Sequence, residues 1–289
     1  MKLVGLMPCR NEAHILGLSA RVALKWCDEL VILDHGSKDS TSRITQELYW
    51  EARGRVDVIY FADPIWREMT HREILLTRAR ESNASHIAII DADEILTGNL
   101  LPNIRSIVEA CEPGNILMLP GYNMRGAIDR YHSNGIWSRR WFSTAFADDP
   151  RLHWACEGYD HHHREPRGML LNAFRPVRQG TGGVMHLWAV TDRHVRAKHA
   201  WYKVTEMLKG FKTAQQIDEM YSWAIHGRLP HDPAHLWTYQ QAPADWWEPY
   251  VDLIKYLHDV EPWQEAEVRR LVAEHGAERF KGLDLFGVV

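Results

Sequence analysis

Ile87-Ala88-Ile89-Ile90-Asp91-Ala92-Asp93-Glu94 is the stretch whose reading decides the fold. Four apolar residues, three of them β-branched, read as a buried strand. The chain then switches abruptly to Asp91-Ala92-Asp93. Carboxylates beside a hydrophobic strand are costly unless a cation or hydrogen-bond donors satisfy them. Open α/β sheets bind ligands at the carboxyl ends of their strands. Paired oxygen ligands at such an edge suit Mg²⁺ or Mn²⁺ carrying a diphosphate. The plainer alternative is that Asp93-Glu94 caps the next segment.

Upstream, strands and helices alternate. Leu3-Val4-Gly5-Leu6-Met7 is an apolar strand, and Ile15, Leu18, Val22 and Trp26 mark one face of a helix. Leu30-Val31-Ile32-Leu33 is a second strand, ending in Asp34-His35-Gly36-Ser37-Lys38-Asp39-Ser40-Thr41. A further helix, the strand Val56 to Phe61, and a helix from about Arg67 to Ser82 lead into the strand before Asp91. This order predicts an α/β domain with a mainly parallel sheet flanked by helices. Three loops, at Pro8 to Glu12, Asp34 to Thr41 and Asp91 to Glu94, should meet at one sheet edge.

Those three loops, read as M-P-C-R-N-E, L-D-H-G-S-K-D-S-T and I-I-D-A-D-E-I-L, resemble the family 2 glycosyltransferases with the Rossmann-like GT-A fold. The resemblance covers about the first 125 residues. It implies a nucleoside-diphosphate-sugar donor, UDP-sugar by default, with Pro8, Arg10, Asn11, Glu12, Asp34 and Gly36 at the nucleoside. Asp91 and Asp93 would hold Mn²⁺ or Mg²⁺ on the diphosphate, with Ala92 beside the donor. Arg72 on the third helix matches the family's arginine and would contact base or phosphate. His35 departs from the acidic or small residue common there. Gly182-Gly183-Val184-Met185-His186 resembles the position that supplies a third metal ligand, His186. Lys198 and Tyr202 match a lysine and tyrosine that follow it, making Lys198 a candidate phosphate contact.

The middle of the chain is harder to read. Ile116 to Pro120 is another strand, and the pieces around Trp137-Ser138-Arg139-Arg140-Trp141 and His153-Trp154-Ala155-Cys156-Glu157-Gly158-Tyr159-Asp160 are rich in aromatics. Inverting sugar transfer needs a carboxylate to take the acceptor's proton. Glu157 stands at the family's acidic position, although Cys156 replaces the preceding histidine. Glu157 is the first choice for the base and Asp160 the second. His161-His162-His163 is internal, and adjacent strand residues face opposite sides, so the run is not expected to ligate one metal.

The chain of 289 residues suggests a GT-A catalytic domain over 1–190 and a helical C-terminal extension over 191–289. Within the first, 1–125 would take the nucleotide sugar, and 126–190 the acceptor and the catalytic base. In the extension, helices are expected after Thr191-Asp192, from Ala214 to His226, from Asp245 to His258 and from Pro262 to His275, with a proline-containing connector between. Most of the 13 tryptophans are expected to be packing. Those around the middle pieces and in the last third could also stack on an acceptor.

Composition agrees with an enzyme free of membrane spans. Lys and Arg total 34 against 38 Asp and Glu, a formal net charge of −4 that leaves no basic footprint for tight nucleic-acid binding. No apolar run reaches spanning length, and Met1-Lys2 runs straight into a strand, so no leader is expected. The 4 cysteines show no close pair, and a reducing cytoplasm is the simplest home. The acceptor stays open between a glycan or lipid-linked sugar, a protein and a hydroxymethylated DNA base. Two other functions fit the sequence less well. A sugar nucleotidyltransferase would carry a glycine-rich N-terminal loop that Leu6 to Arg10 lacks. An idle glycan- or nucleic-acid-binding protein has no need of both Asp91 and Asp93.

Overall fold

The computed structural model describes residues 1–63, 65–138, 140–154, 164–170, 173–178, 180–229 and 232–289, with backbone alone at 229, 232 and 233. In chain order the strands and helices are β1 (Leu3–Cys9), α1 (Leu16–Ala23), β2 (Glu29–Asp34), α2 (Thr41–Glu51), β3 (Val56–Tyr60), α3 (Glu68–Glu81), β4 (His86–Ile89), β5 (Glu94–Leu96), α4 (Ile104–Glu109) and β6 (Ile116–Arg125). They continue with β7 (Arg130–His132), β8 (Arg140–Ala147), β9 (Phe174–Pro176), β10 (Val184–Ala189), α5 (Asp192–Lys209), α6 (Ala214–Tyr221), α7 (Trp223–His226) and β11 (Arg228–Leu229). The last are β12 (Asp232–Leu236), β13 (Tyr239–Gln241), α8 (Ala244–Trp247) and α9 (Trp263–His275).

The chain forms two compact units. One comprises Met1–Tyr122, Arg139–His186 and Pro243–His258; the other comprises Asn123–Ser138, Leu187–Ala242 and Asp259–Val289. The chain alternates between them, where its sequence suggests one division after residue 190.

In the first unit, β3, β2, β1 and β4 are parallel neighbours in that order. The sheet as a whole is mixed rather than mainly parallel, because β8 inserts antiparallel between β4 and β6. β1 is buried along its whole length, as a central strand covered on both faces must be. Leu3, Met7, Leu16, Ala20, Leu30 and Ile32 pack on one side, and Val4, Leu6, Val31, Leu75, Ile87 and Trp154 on the other. Since β1, β2 and β4 share a direction, the loops after Cys9, Asp34 and Ile90 all leave the same edge.

A late segment completes this unit. Tyr250 is fully buried and its hydroxyl donates to the Leu96 carbonyl at 2.8 Å. The Arg21 guanidinium lies 3.6 Å from the centre of the Tyr256 ring, and the His258 amide donates to the His14 carbonyl at 2.8 Å. A Cβ on Gly98 would come within 2.6 Å of Pro249, so only glycine admits this approach.

The second unit centres on α5, whose Ala200 and Val204 pack with Val268, Leu271 and Val272 of α9 and with Phe280, Phe286 and Val288. Lys203 sits in the middle of that apolar stripe and is fully buried. Its ammonium donates to Asp218 Oδ1 (2.6 Å), Ser222 Oγ (2.7 Å) and the Asp284 carbonyl (2.8 Å), and lies 3.9 Å from the Phe286 ring centre. Every proton of this ammonium has an acceptor. The stretch expected as one helix from Ala214 is split at Ser222, the residue that Lys203 grips. The connector after it forms the hairpin β11–β12, an isolated two-stranded pair in which a proline's missing N–H is tolerated. Trp137, Trp188, Trp223 and Trp237 stack on one another at centroid distances of 5.5–5.8 Å, so these rings pack largely against each other.

Candidate functional site at the carboxyl edge of the sheet

The first two loops are sewn together by their own polar groups. Asn11 adopts a left-handed conformation (φ 56°), its amide donates to Ser37 Oγ at 2.9 Å, and its Oδ1 accepts from the Lys38 amide at 2.7 Å. The Glu12 amide donates to Thr41 Oγ1 at 2.8 Å, and that of Ala13 to Asp39 Oδ2 at 3.1 Å. Asp34 is buried and accepts from the Ser37 amide at 3.1 Å and from the Ser42 hydroxyl. Gly36 supplies the positive φ (57°) that this turn requires. Pro8 lies in β1 opposite Leu33, and Arg10 follows close enough for its charge to disfavour protonation of His35.

His35 does not offer its ring to the edge. It is buried, its Nε2 donates to the Asp63 carbonyl, and it packs against His71, Trp66 and Phe61, with 4.5 Å between the two imidazole centroids. Burial, reinforced by His35, pushes His71 down to about 4.

At the end of β4 the charges divide. Arg72 on α3 is buried and donates through Nη2 to Glu68 Oε1 (2.7 Å) and Asp91 Oδ1 (2.9 Å). Arg164 reaches the same carboxylate from the other side, with Nη1 2.7 Å from Asp91 Oδ2. It also makes a two-pronged contact with Glu94, Nη1 to Oε1 at 2.8 Å and Nη2 to Oε2 at 2.5 Å. Two more donations, to the Ile89 and Ser143 carbonyls at 2.9 and 2.7 Å, fix its plane. Burial by itself would raise the Asp91 pKa; Arg164 and Arg72 outweigh it and hold the carboxyl below its ordinary value. Both Asp91 oxygens therefore face guanidinium groups.

Asp93 points elsewhere. Its Oδ2 lies 3.3 Å from His186 Nε2, and both side chains keep about a fifth of their surface exposed, 21 and 22 %. β10 brings His186 opposite Glu94 of β5, and Phe142 closes edge-on against the imidazole at 5.5 Å. A Cβ on Gly183 would overlap the Pro120 carbonyl oxygen at 1.9 Å, so glycine is what lets β10 approach this closely. Between the two aspartates, Ala92 is buried and its carbonyl accepts the Ser19 hydroxyl of α1, which pins the turn. Among the described residues no group of three or more His, Cys, Asp and Glu side chains is placed to hold a metal ion.

The edge thus brings together Asn11, Glu12, Asp34 and Gly36 in one pair of loops, and Arg72, Asp91, Asp93 and His186 around the third. Lys198 lies on α5 in the second unit. Glu157 and Asp160 lie outside the described residues, as do His161 to His163. The sequence reading missed Arg164, Glu68 and the pairing role of Glu94. Arg164 meets Asp91 across 73 residues, and the one signal for it was general: buried carboxylates need cations.

No protein-family model matches the chain, and no curated protein matches it. Among solved structures it is similar to S. aureus TarS 1-349, with 11% identity over 97% of this chain and 89% of that one and a TM-score of 0.46. For the same fragment in complex with UDP the values are 14% identity, 51% of this chain, 47% of that one and 0.38. Glucosyl-3-phosphoglycerate synthase from Mycobacterium tuberculosis, in complex with Mn²⁺, UDP and glucosyl-3-phosphoglycerate, is similar at 17% identity over 43% of this chain and 44% of that one, with a TM-score of 0.30. In the last two matches this chain spans less than half of the other's length. No helix among the described residues is long and apolar enough to cross a membrane.

Proposed function

We propose that the protein is a GT-A-type glycosyltransferase that moves a sugar from a nucleoside-diphosphate sugar, UDP-sugar by default, to an acceptor hydroxyl with inversion. The observation that supports this reading is the Asp93–His186 pair, part-exposed at the carboxyl edge of the sheet beside two braced loops.

The pair fits a hard divalent cation. Asp93 would hold the ion through a carboxylate oxygen and His186 through its imidazole Nε2, donors that lie 3.3 Å apart in the pair they form here. Mg²⁺ and similar ions are commonly held by one or two protein groups with substrate phosphates completing the shell. When bound, such an ion neutralises charge on the departing diphosphate.

The chain's own residues would do the rest. The loops at Asn11 to Ala13 and Asp34 to Thr41 bind the nucleoside on a surface whose polar groups are already fixed, which lowers the ordering cost of binding. Arg72 keeps Asp91 in place. A carboxylate, Glu157 first and Asp160 second, takes the proton of the acceptor hydroxyl. The acceptor oxygen then bonds to the anomeric carbon, and the bond to the diphosphate oxygen breaks with its electron pair leaving on the diphosphate. The acceptor we favour is a glycan or lipid-linked sugar.

Calorimetry with UDP, UDP-sugars and the corresponding GDP and CDP compounds, each with and without Mn²⁺, tests the reading. Metal-dependent binding of one nucleoside diphosphate is expected. Absence of binding across the panel, with and without metal, would overturn it.

A further inference from the structure

We propose that Arg164 is a built-in counter-cation that keeps Asp91 and Glu94 out of the metal's coordination shell, so that of the charged groups described at this edge Asp93 and His186 are the ones offered to the ion. This deepens the reading above and rests on it for the identity of the metal site.

The geometry carries the argument. Five short donations, three at 2.5–2.8 Å to carboxylates and two at 2.7–2.9 Å to carbonyls, fix Arg164 in place, and its side chain is only 13 % exposed. Two of its nitrogens face Glu94 in the parallel arrangement that suits a carboxylate best. Nη1 bridges Glu94 and Asp91, while Arg72 holds the other Asp91 oxygen. An ion arriving at Asp93 would therefore meet a fixed positive group behind the very carboxylate that would otherwise be its next ligand. Without Arg164 the cluster of Asp91, Asp93, Glu94 and Glu68 would keep one guanidinium, that of Arg72, instead of two. The consequence is a site that holds the metal weakly by itself and completes its shell with the oxygens of a diphosphate.

The proposal makes a prediction opposite to that of a merely structural arginine, whose loss would weaken every function of the site. Binding of Mn²⁺ alone to the full chain is read by electron paramagnetic resonance and calorimetry. Arg164→Met should bind Mn²⁺ at least about tenfold more tightly than the wild type, since a unit charge within several ångströms of a divalent ion is worth that much even when well screened. Arg164→Lys, which keeps the charge, should stay near wild type. Adding Asp93→Ala to Arg164→Met should abolish the gain.

Because Arg164→Met strands Glu94, the companion Arg164→Met/Glu94→Gln is measured against Glu94→Gln alone, and the same tightening is expected there. Unchanged or weaker Mn²⁺ binding in the folded Arg164→Met protein, or in the companion pair where the single variant does not fold, would overturn the proposal. The metal-only readout separates the two claims. A gain in Mn²⁺ affinity with no binding of any nucleoside diphosphate would leave the counter-cation standing and remove the glycosyltransferase reading. Metal-dependent donor binding with no gain would do the reverse.

Discussion

The two units each bury an ionic cluster, and the clusters differ in how far solvent reaches them. Around Lys203 every proton of the ammonium has an acceptor within 2.8 Å, and an aromatic face covers what remains. Around Asp91 the charges are also paired, but the cluster reaches towards solvent: the Asp93–His186 pair stays part-exposed, and Arg72 Nη1 is buried with no partner among the described residues. A saturated cluster specifies structure and has nothing left to offer a ligand. A part-exposed one, held rigid by its buried half, has both a fixed geometry and a face that a ligand can reach.

Substitution at the open end should have the largest effect. Asp93→Ala is expected to lower sugar transfer at least about a hundredfold, more than the loss of an outer-shell partner usually costs a metal site. The melting temperature should move little, because the side chain is part-exposed. Steady-state kinetics beside a thermal melt checks both, and a variant as active as the wild type would erase the contrast between the clusters.

Next in size is the closed cluster. Lys203→Met keeps the apolar stem but leaves Asp218, Ser222 and the Asp284 carbonyl without their donor, and should cost about 2–4 kcal/mol in urea unfolding. Lys203→Met/Asp218→Leu should recover part of that loss, since replacing a buried pair is gentler than breaking it. No recovery in the double variant would mean that the lysine acts mainly through its carbonyl and hydroxyl partners.

Acid should loosen the second unit. Burial, first among the causes, holds His132, His194 and His199 down at about 4, against an ordinary histidine value of about 6.5. Between those values the unfolded chain takes up protons that the folded chain refuses. Stability is therefore full above about pH 6.5 and declines as pH falls towards 4. Urea midpoints across that window should fall, and His199→Phe should flatten the slope. A slope unchanged in that variant would show that His199 is protonated in the folded state.

The smallest effect belongs to an exposed network. Arg270 pairs with Glu267 at 2.8 Å and with Glu274 at 2.5 Å on the open face of α9. Arg270→Ala should leave the urea midpoint at the wild-type value within error. A loss matching that of Lys203→Met would mean that burial is not what separates strong from weak ion pairs here.

What could be read in the sequence follows from range. β1, β2, β3 and the helices between them announce themselves through apolar runs and periodicity inside windows of a dozen residues. The convergence of three loops on one edge then follows from parallel pairing. The partners of the charges were hidden, because Arg164 and Asp91 are 73 residues apart and Lys203 and Asp284 are 81 apart. Lys198 is marked in the sequence by its match, with Tyr202 four residues on, to a family pattern, while Lys203 reads like any lysine on a helix and is buried by tertiary packing against Phe286. His35 was legible as a departure from a family pattern, but its burial against His71 and Trp66 was not, since those residues come from the far side of β3.

The return of Pro243–His258 to the first unit has a consequence for biosynthesis. Tyr250 and Tyr256 seal α1 and the Leu96 turn, yet they leave the ribosome more than 150 residues after the segments they cover. A nascent chain that has reached residue 190 carries the aspartate turn and β1 to β10, but not this cover. The sheet would have to wait, half-finished and with apolar surface in water, for the last sixth of the polypeptide to emerge. Truncating the chain at the apparent end of its first domain would make that exposure permanent.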